Sequence, residues 1–217
     1  FHLLADGGIK NYSADAAWFA DVHQFSANHA AIASVVSTAT GKDVPAIISR
    51  IGDVSLTGYI GGEHNKLAAN VRVSTSLGNI RAAVDKCKNS ITGHIETVDF
   101  NVGKLADDNK LGHLSANINI HGQSEDNMSA IGRVYNFDYN GYKYRDINLD
   151  ASYRLKVVEG RVEIDDPNAQ ISASGQLNIA SETPLLKANV SVGRFAPNSL
   201  HLTQKWQSTA FAANISC

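Results

Sequence analysis

The sequence has 217 residues, enough for one large domain or two small ones. Nineteen Lys and Arg residues against 21 Asp and Glu residues give a net charge of −2, so the chain has no positive excess to attract nucleic acid. Only 18% of its residues are charged, below the about 25% of an ordinary soluble domain. Four prolines and no low-complexity tract argue against disorder. Composition therefore disfavours both a nucleic-acid partner and a disordered chain.

The cysteines and the chain ends bear on the compartment. Cys87 and Cys217 cannot build a disulfide framework, and no Cys or His cluster has the spacing of zinc ligands. The longest apolar stretch, around 30–36, is far shorter than the about 20 residues of a transmembrane helix. The chain opens with Phe1 rather than Met and closes on Cys217, so we expect a fragment of a longer protein whose signal or anchor lies upstream.

The first elements of the chain are predicted to be strands and then a helix. The segment WFADVH (18–23) alternates apolar and polar residues, so strands are predicted over 14–37. A short helix is predicted over 44–51, where apolar residues recur at helical spacing behind Asp43 and Pro45 and before Gly52. A second short helix is predicted over about 102–109.

These two helices introduce an internal repeat. GDVSLTGYIGG (52–62) and GHLSANINIHG (112–122) start 60 residues apart, and each follows a short helix and precedes a run of alternating residues. The repeat units are placed at roughly 43–100 and 102–180. Repetition of a β unit at this length favours an array built by extension over a closed catalytic domain.

From residue 112 onward, apolar and polar residues alternate strictly. This pattern predicts strands with one polar side that faces solvent (the wet face) and one apolar side (the dry face). Turns are predicted at Asn140-Gly141, at Glu159-Gly160 and at Asp166-Pro167-Asn168. About a dozen antiparallel strands result, and two short helices cannot cover them. The sheet must close as a barrel, fold over as a sandwich, or leave a groove.

The composition of the dry positions favours the groove. They are rich in Ala, Val, Ile and Leu, and aromatic residues make up only 7% of the chain. The predicted fold is all-β: an elongated antiparallel sheet curled into an open hydrophobic groove, with two short helices, forming a single β-rich unit over 1–217. The residues predicted to line the groove are Ile118, Ile120, Ile131, Ile147, Leu149, Leu155, Ile171, Leu177, Val190 and Val192.

Three stretches carry a resemblance to a known family. They are KDVPAIISRIGDVSLTGYIGG (42–62), TVDFNVGKLADDNKLGHLSANINIHG (97–122) and NGYKYRDINLDASYRLKVVEGRVEIDDPNAQISASGQLNIA (140–180), and ETPLLKANVSVGRFAPNSLHLT (182–203) reads as a further strand pair. Together they resemble the TamB/AsmA-like envelope proteins of Bacteroidetes-type bacteria, through the NGYKY pair and the DPN turn that leads to Gly175.

The resemblance implies a fold and a function. It implies a β-taco-like groove in the periplasm of a Gram-negative bacterium, within a protein anchored to the inner membrane by a segment absent from this chain. The implied partners are phospholipid acyl chains and, through a missing C-terminal region, an outer-membrane assembly protein of the Omp85 type. The implied role is phospholipid transport between the membranes, support of outer-membrane protein assembly, or both.

No catalytic constellation accompanies these features, so no enzyme, metal site or cofactor is predicted. His94 and Glu96 share one strand face, but polar outward residues explain them more simply. The adjacent aspartates at 107–108 and at 165–166 have no third carboxylate or carbonyl ligand at the spacing of a calcium-binding loop. The alternative to a lipid conduit is a structural or adhesive β-solenoid whose dry face is a filled core, and a hydrolase is a distant third.

Overall fold

The chain forms one antiparallel sheet of thirteen strands. The computed structural model describes residues 1–11, 16–40, 46–124, 126–180, 184–205 and 211–216, and gives only the backbone of 35, 36 and 38–40. The strands are β1 (His2–Lys10), β2 (Ala17–Ala27), β3 (Val54–Glu63), β4 (Lys66–Thr75), β5 (Gly78–Cys87), β6 (Ser90–Asn101), β7 (Leu111–Ser124), β8 (Asn127–Tyr139), β9 (Tyr142–Arg154), β10 (Val157–Asp166), β11 (Ala169–Asn178), β12 (Leu185–Phe195) and β13 (Phe211–Ser216). The helices are α1 (His29–Thr40), α2 (Ala46–Ile51) and α3 (Val102–Ala106).

The strands follow one another across the sheet in chain order, and the sheet does not close into a barrel. Strand residues make up 72% of the structure. Every strand pairs antiparallel with its neighbours in sequence, and most of the connections between them are short. The predicted all-β class and open, elongated antiparallel sheet are confirmed.

Helix α1 corrects the prediction of strands over 14–37. Strand β2 is present where the alternation predicts it, but it ends at Ala27. Asn28 then caps α1, because its side-chain oxygen accepts a hydrogen bond from the Ala31 backbone N–H at 2.8 Å. Three helices are therefore described instead of two. An asparagine ahead of an alanine-rich run is the sequence signal that favours this helix.

The other two helices lie where the apolar spacing predicts them. Helix α2 covers 46–51, and the predicted residues 43–45 lie outside the described residues. Helix α3 begins behind Asn101, whose side chain accepts a hydrogen bond from the Lys104 N–H at 2.8 Å. It ends at Ala106 rather than near 109, because Asp107 takes the left-handed conformation of a helix C-cap, with φ of 60°.

Two of the three predicted turns are confirmed. Asn140 and Gly141, with φ of 52° and 77°, join β8 to β9, and both positive angles suit a tight hairpin. Pro167 and Asn168 join β10 to β11. The turn predicted at Glu159-Gly160 is wrong, because Gly160 lies within β10 and pairs with residues on both neighbouring strands.

The connections alternate between two ends of the sheet. The hairpin end carries the links β1–β2, β3–β4, β5–β6, β7–β8, β9–β10 and β11–β12. The helix end carries the remaining links, including all three helices and the segment 196–202. The best-buried apolar side chains lie at the helix end, among them Leu77, Phe100, Ala169 and Leu200, the last fully shielded from solvent. Packing is therefore concentrated along one margin of the sheet.

Candidate functional site: an open apolar groove

The strand register assigns every paired residue to one of two faces. Directly paired residues on neighbouring strands point to the same side of a sheet, so rows of pairs can be followed from edge to edge. One such row crosses all thirteen strands and contains only apolar residues and glycine. From β1 to β13 the row is Ala5, Val22, Gly58, Val71, Ala82, Ile95, Ile118, Gly132, Leu149, Val162, Ala173, Val190 and Ile215.

We call the side that contains this row the apolar face, and the opposite side the polar face. The neighbouring row on the polar face is mostly polar: Asp6, Asp21, Tyr59, Asn70, Ala83, His94, Asn119, Ile131, Asp150, Arg161, Ser174, Asn189 and Ser216. On β9, the apolar-face residues 147, 149 and 151 are half-buried, whereas the polar-face residues 148, 150 and 152 are exposed. The apolar face is thus the sheltered side of the sheet.

The register places eight of the ten predicted groove residues together on the apolar face. These are Ile118, Ile120, Ile147, Leu149, Ile171, Leu177, Val190 and Val192, and each is half-buried. Ile147 pairs with Ile164, which in turn pairs with Ile171, so the side chains form contiguous apolar rows.

The placements of Ile131 and Leu155 are wrong. Ile131 lies on the polar face, paired with Asn119 and Asp150, and is 51% exposed. On β8 the apolar face is formed by the even-numbered residues 128–134 instead. Leu155 is not in a strand: it occupies the β9–β10 turn with Lys156 and is 71% exposed. Strand β9 ends one residue before it.

No second layer of described residues covers the apolar face. The accessible surface is 13,970 Å², against about 9,700 Å² expected for a compact monomer of this mass. Large apolar side chains on this face remain exposed, including Leu3, Val162 and Leu186. The described sheet therefore presents an open, continuous hydrophobic surface, which we call the groove.

Ionisable groups on the polar face pair with one another across strands. Arg81 contacts Glu96 at 3.1 Å, and a ring nitrogen of His94 lies 2.8 Å from the side-chain oxygen of Asn119. His94 and Glu96 thus have separate structural partners, as the simpler reading of this pair predicts. Such exposed pairs organise the surface but contribute little stability each.

The acidic pairs also have structural roles. Asp107 forms an ion pair with Arg50 at 2.9 Å, which ties α3 to α2. Asp108 accepts a hydrogen bond from the Lys110 N–H at 2.8 Å and shapes the turn that follows. Within the described ranges, no group of three or more His, Cys, Asp or Glu side chains could hold a metal ion.

Asp166 is the centre of a hydrogen-bond network that links the segment NGYKY (140–144) to the turn DPN (166–168). Its carboxylate, 1% exposed, accepts hydrogen bonds from the Tyr142 hydroxyl and from the backbone N–H groups of Arg145 (3.1 Å) and Asn168 (2.8 Å). Burial and the contact with Asp166 raise the pKa of Tyr142, and burial raises the pKa of Tyr144 beside it. The turn role predicted for Asp166 is confirmed. Its contact with Tyr142, 24 residues away, has no sequence signature.

The cysteines and the helices are the remaining candidate features. Cys87 is exposed and unbonded, and Cys217 lies outside the described residues. Among the helices that the structure describes, none has the length and apolar character needed to cross a membrane.

Comparison with protein-family models, with curated proteins and with solved structures gives no match to this chain. The inference about function therefore depends on the geometry of the groove and on the residues that form it.

Proposed function

We propose that this chain is a segment of a lipid conduit, in which the apolar face holds the acyl chains of phospholipids as they pass between the inner and outer membranes. The single observation that supports this proposal is the unbroken apolar row that crosses all thirteen strands. Acyl chains gain about 0.8 kcal/mol for each CH₂ group removed from water, so a continuous aliphatic surface stabilises them along its whole length.

The cellular setting is part of the same proposal. The stretches at 42–62, 97–122 and 140–180 that resemble TamB/AsmA-like proteins suggest a periplasmic location, an inner-membrane anchor elsewhere in the protein, and an outer-membrane assembly partner of the Omp85 type. A lipid that crosses an aqueous compartment needs a surface that shields its acyl tails from water, and the groove would provide one. The chain itself would then act as a passive surface rather than as an enzyme.

The alternative, a structural or adhesive β-solenoid, requires side chains from a second layer to fill the space above the apolar face. In the described part of the chain, mid-strand residues such as Leu149 and Leu177 are only half-buried, whereas residues in a filled core are close-packed and buried. This difference in burial supports the conduit.

Site-specific photo-crosslinking in cells tests the proposal. A photoreactive residue at Leu149 or Leu177 should capture phospholipid, because both side chains face the groove. Ile131 is the matched control, since it is equally apolar but lies on the polar face, and Asp150 is a second control. Mass spectrometry of the adducts identifies the lipid. Equal capture from both faces, or no capture at Leu149 and Leu177, would contradict the conduit.

A further inference from the structure

We infer that Lys86 is a contact for the anionic head of an amphiphile whose tail lies on the apolar face, so that heads are oriented toward the hairpin end. This inference builds on the proposed conduit and adds the ligand's charge and orientation.

Lys86 is the one exposed charged residue that the register places on the apolar face of the described strands. It pairs with Leu67 on β4 and with Ile91 on β6, so both cross-strand neighbours of the lysine are aliphatic. The other charged residue on this face, Asp166, lies at the helix end, where it is buried and accepts three hydrogen bonds. The charge available to a ligand in the groove is therefore positive and lies at the hairpin end.

The position of Lys86 within its strand suits the boundary between tail and head. It is the next-to-last residue of β5, so its methylene groups can lie along Leu67 and Ile91 while its ammonium group reaches water at the rim. An acyl tail deeper in the groove meets Val84 and other aliphatic residues, whereas a charged head must stay hydrated. An ammonium group at this boundary attracts an anionic head.

The described strands offer no other cation to a head at this rim of the apolar face. The register places Ser90, Thr92 and His121, on the strands beside Lys86, on the polar face. The Lys86 ammonium group donates hydrogen bonds of the kind that phosphate and carboxylate oxygens accept. The helix end, in contrast, is closed by packed residues such as Phe100 and Leu200. The ligand class is thus an acyl amphiphile with a phosphate or carboxylate head.

Binding of tail-labelled lipids to the purified chain tests this inference. Lys86→Gln should weaken binding of phosphatidic acid by about three- to tenfold, as expected for loss of a partly exposed ionic contact. It should leave binding of a diacylglycerol with the same tails unchanged, since that lipid has no charged head. Palmitate, which has a carboxylate head, is the third ligand. If Lys86→Gln weakens binding of phosphatidic acid more than binding of palmitate, the preferred head is a phosphate. If it weakens binding of palmitate more, the preferred head is a carboxylate.

Two further variants control for charge and folding. Lys187→Gln removes an exposed lysine that is also near the hairpin end but pairs with Gln176 on the polar face, and it should change nothing. Lys86→Arg keeps the charge and should restore binding of the anionic lipid.

The outcomes separate the two proposals. If the unmodified chain binds neither phosphatidic acid nor diacylglycerol, the conduit itself is overturned. If it binds both and Lys86→Gln affects neither, or affects both equally, the conduit stands and the role of Lys86 is overturned. An effect of Lys187→Gln as large as that of Lys86→Gln would also contradict the inference.

Discussion

At the scale of single residues, the β9–β10 turn is unusual because both of its central residues are strained. Leu155 and Lys156 have φ of 47° and 66°, a region that costs L-residues roughly 1–2 kcal/mol each. The same kind of hairpin between β8 and β9 is built from Asn140 and Gly141, the preferred pair for two positive φ angles. The β9–β10 turn therefore uses residues poorly suited to its geometry.

Replacing this pair should stabilise the chain. The double substitution Leu155→Asn, Lys156→Gly is expected to raise the free energy of unfolding by about 1–2 kcal/mol, because it relieves strain without removing a buried side chain. Urea unfolding followed by circular dichroism measures the change. Ser152→Asn, at an exposed position on the same hairpin, is the control and should gain nothing. A lower stability in the double variant would mean that the turn is not strained as described.

This turn and Ile131 show where prediction from the sequence stops. Alternation predicts that β8 has two faces but not which one is dry, because on the apolar side it offers mainly small residues such as Ala130 and Gly132, while Ile131 stands on the other. The pairing of Gly132 with Leu149 shows that the even-numbered residues of β8 lie on the apolar face. Likewise, Gly160 resembles a turn glycine until its strand partners are known. The register places eight of the predicted groove residues on one face, because their strands alternate without ambiguity.

At the scale of elements, the pairing of β1 with β2 includes a pH-sensitive contact. A ring nitrogen of His23 lies 2.8 Å from the Asp6 carboxylate across the two strands. This hydrogen bond raises the pKa of His23 above its usual 6.5, and the negative charge of Asp21 acts in the same direction. Because the pKa of His23 is higher in the folded chain than in the unfolded chain, its contact with Asp6 stabilises the fold fully below pH 6.5. This stabilisation is lost as the pH rises through the raised pKa.

The edge strand should accordingly open more readily in alkaline solution. Hydrogen exchange of β1 amides, corrected for the intrinsic rate, is expected to show greater protection at about pH 6 than at about pH 8.5. His23→Gln should abolish the difference. His121→Gln is the control, because His121 lies on the polar face with no ion-pair partner among the described residues. A pH dependence that survives in His23→Gln would assign it to another group.

Elements differ in how much local sequence determines them. The short helices α2 and α3 have apolar spacing and, at α3, a capping asparagine, so pattern alone predicts them. Helix α1 was not predicted because alanine is compatible with both periods, and its start depends on Asn28. The repeat units at 43–100 and 102–180 stay a prediction, although α2 and α3 both lie at the helix end and each leads into a series of strands.

At the scale of the whole molecule, the excess accessible surface has a measurable effect. A folded chain with an uncovered aliphatic face should increase the fluorescence of a neutral apolar dye while unfolding in one cooperative transition. Leu149→Asn should reduce the emission, because it places an amide in the groove. Ile131→Asn, on the polar face, should not. Dye binding confined to partly unfolded conditions would indicate a filled core and a loosened intermediate instead.

The number of strands also fixes a length. Neighbouring strands are about 4.8 Å apart, so thirteen of them carry the apolar row over roughly 58 Å. One leaflet of a bilayer has a hydrocarbon thickness of about 15 Å, half that of the whole core. In the proposed conduit, a surface almost four leaflets long has room for several lipids side by side, and only a head beside Lys86 meets a charged contact on the described strands of this face. Its total occupancy would then be set by the supply of lipid at one end and its removal at the other, because most of its length offers every lipid the same aliphatic contacts.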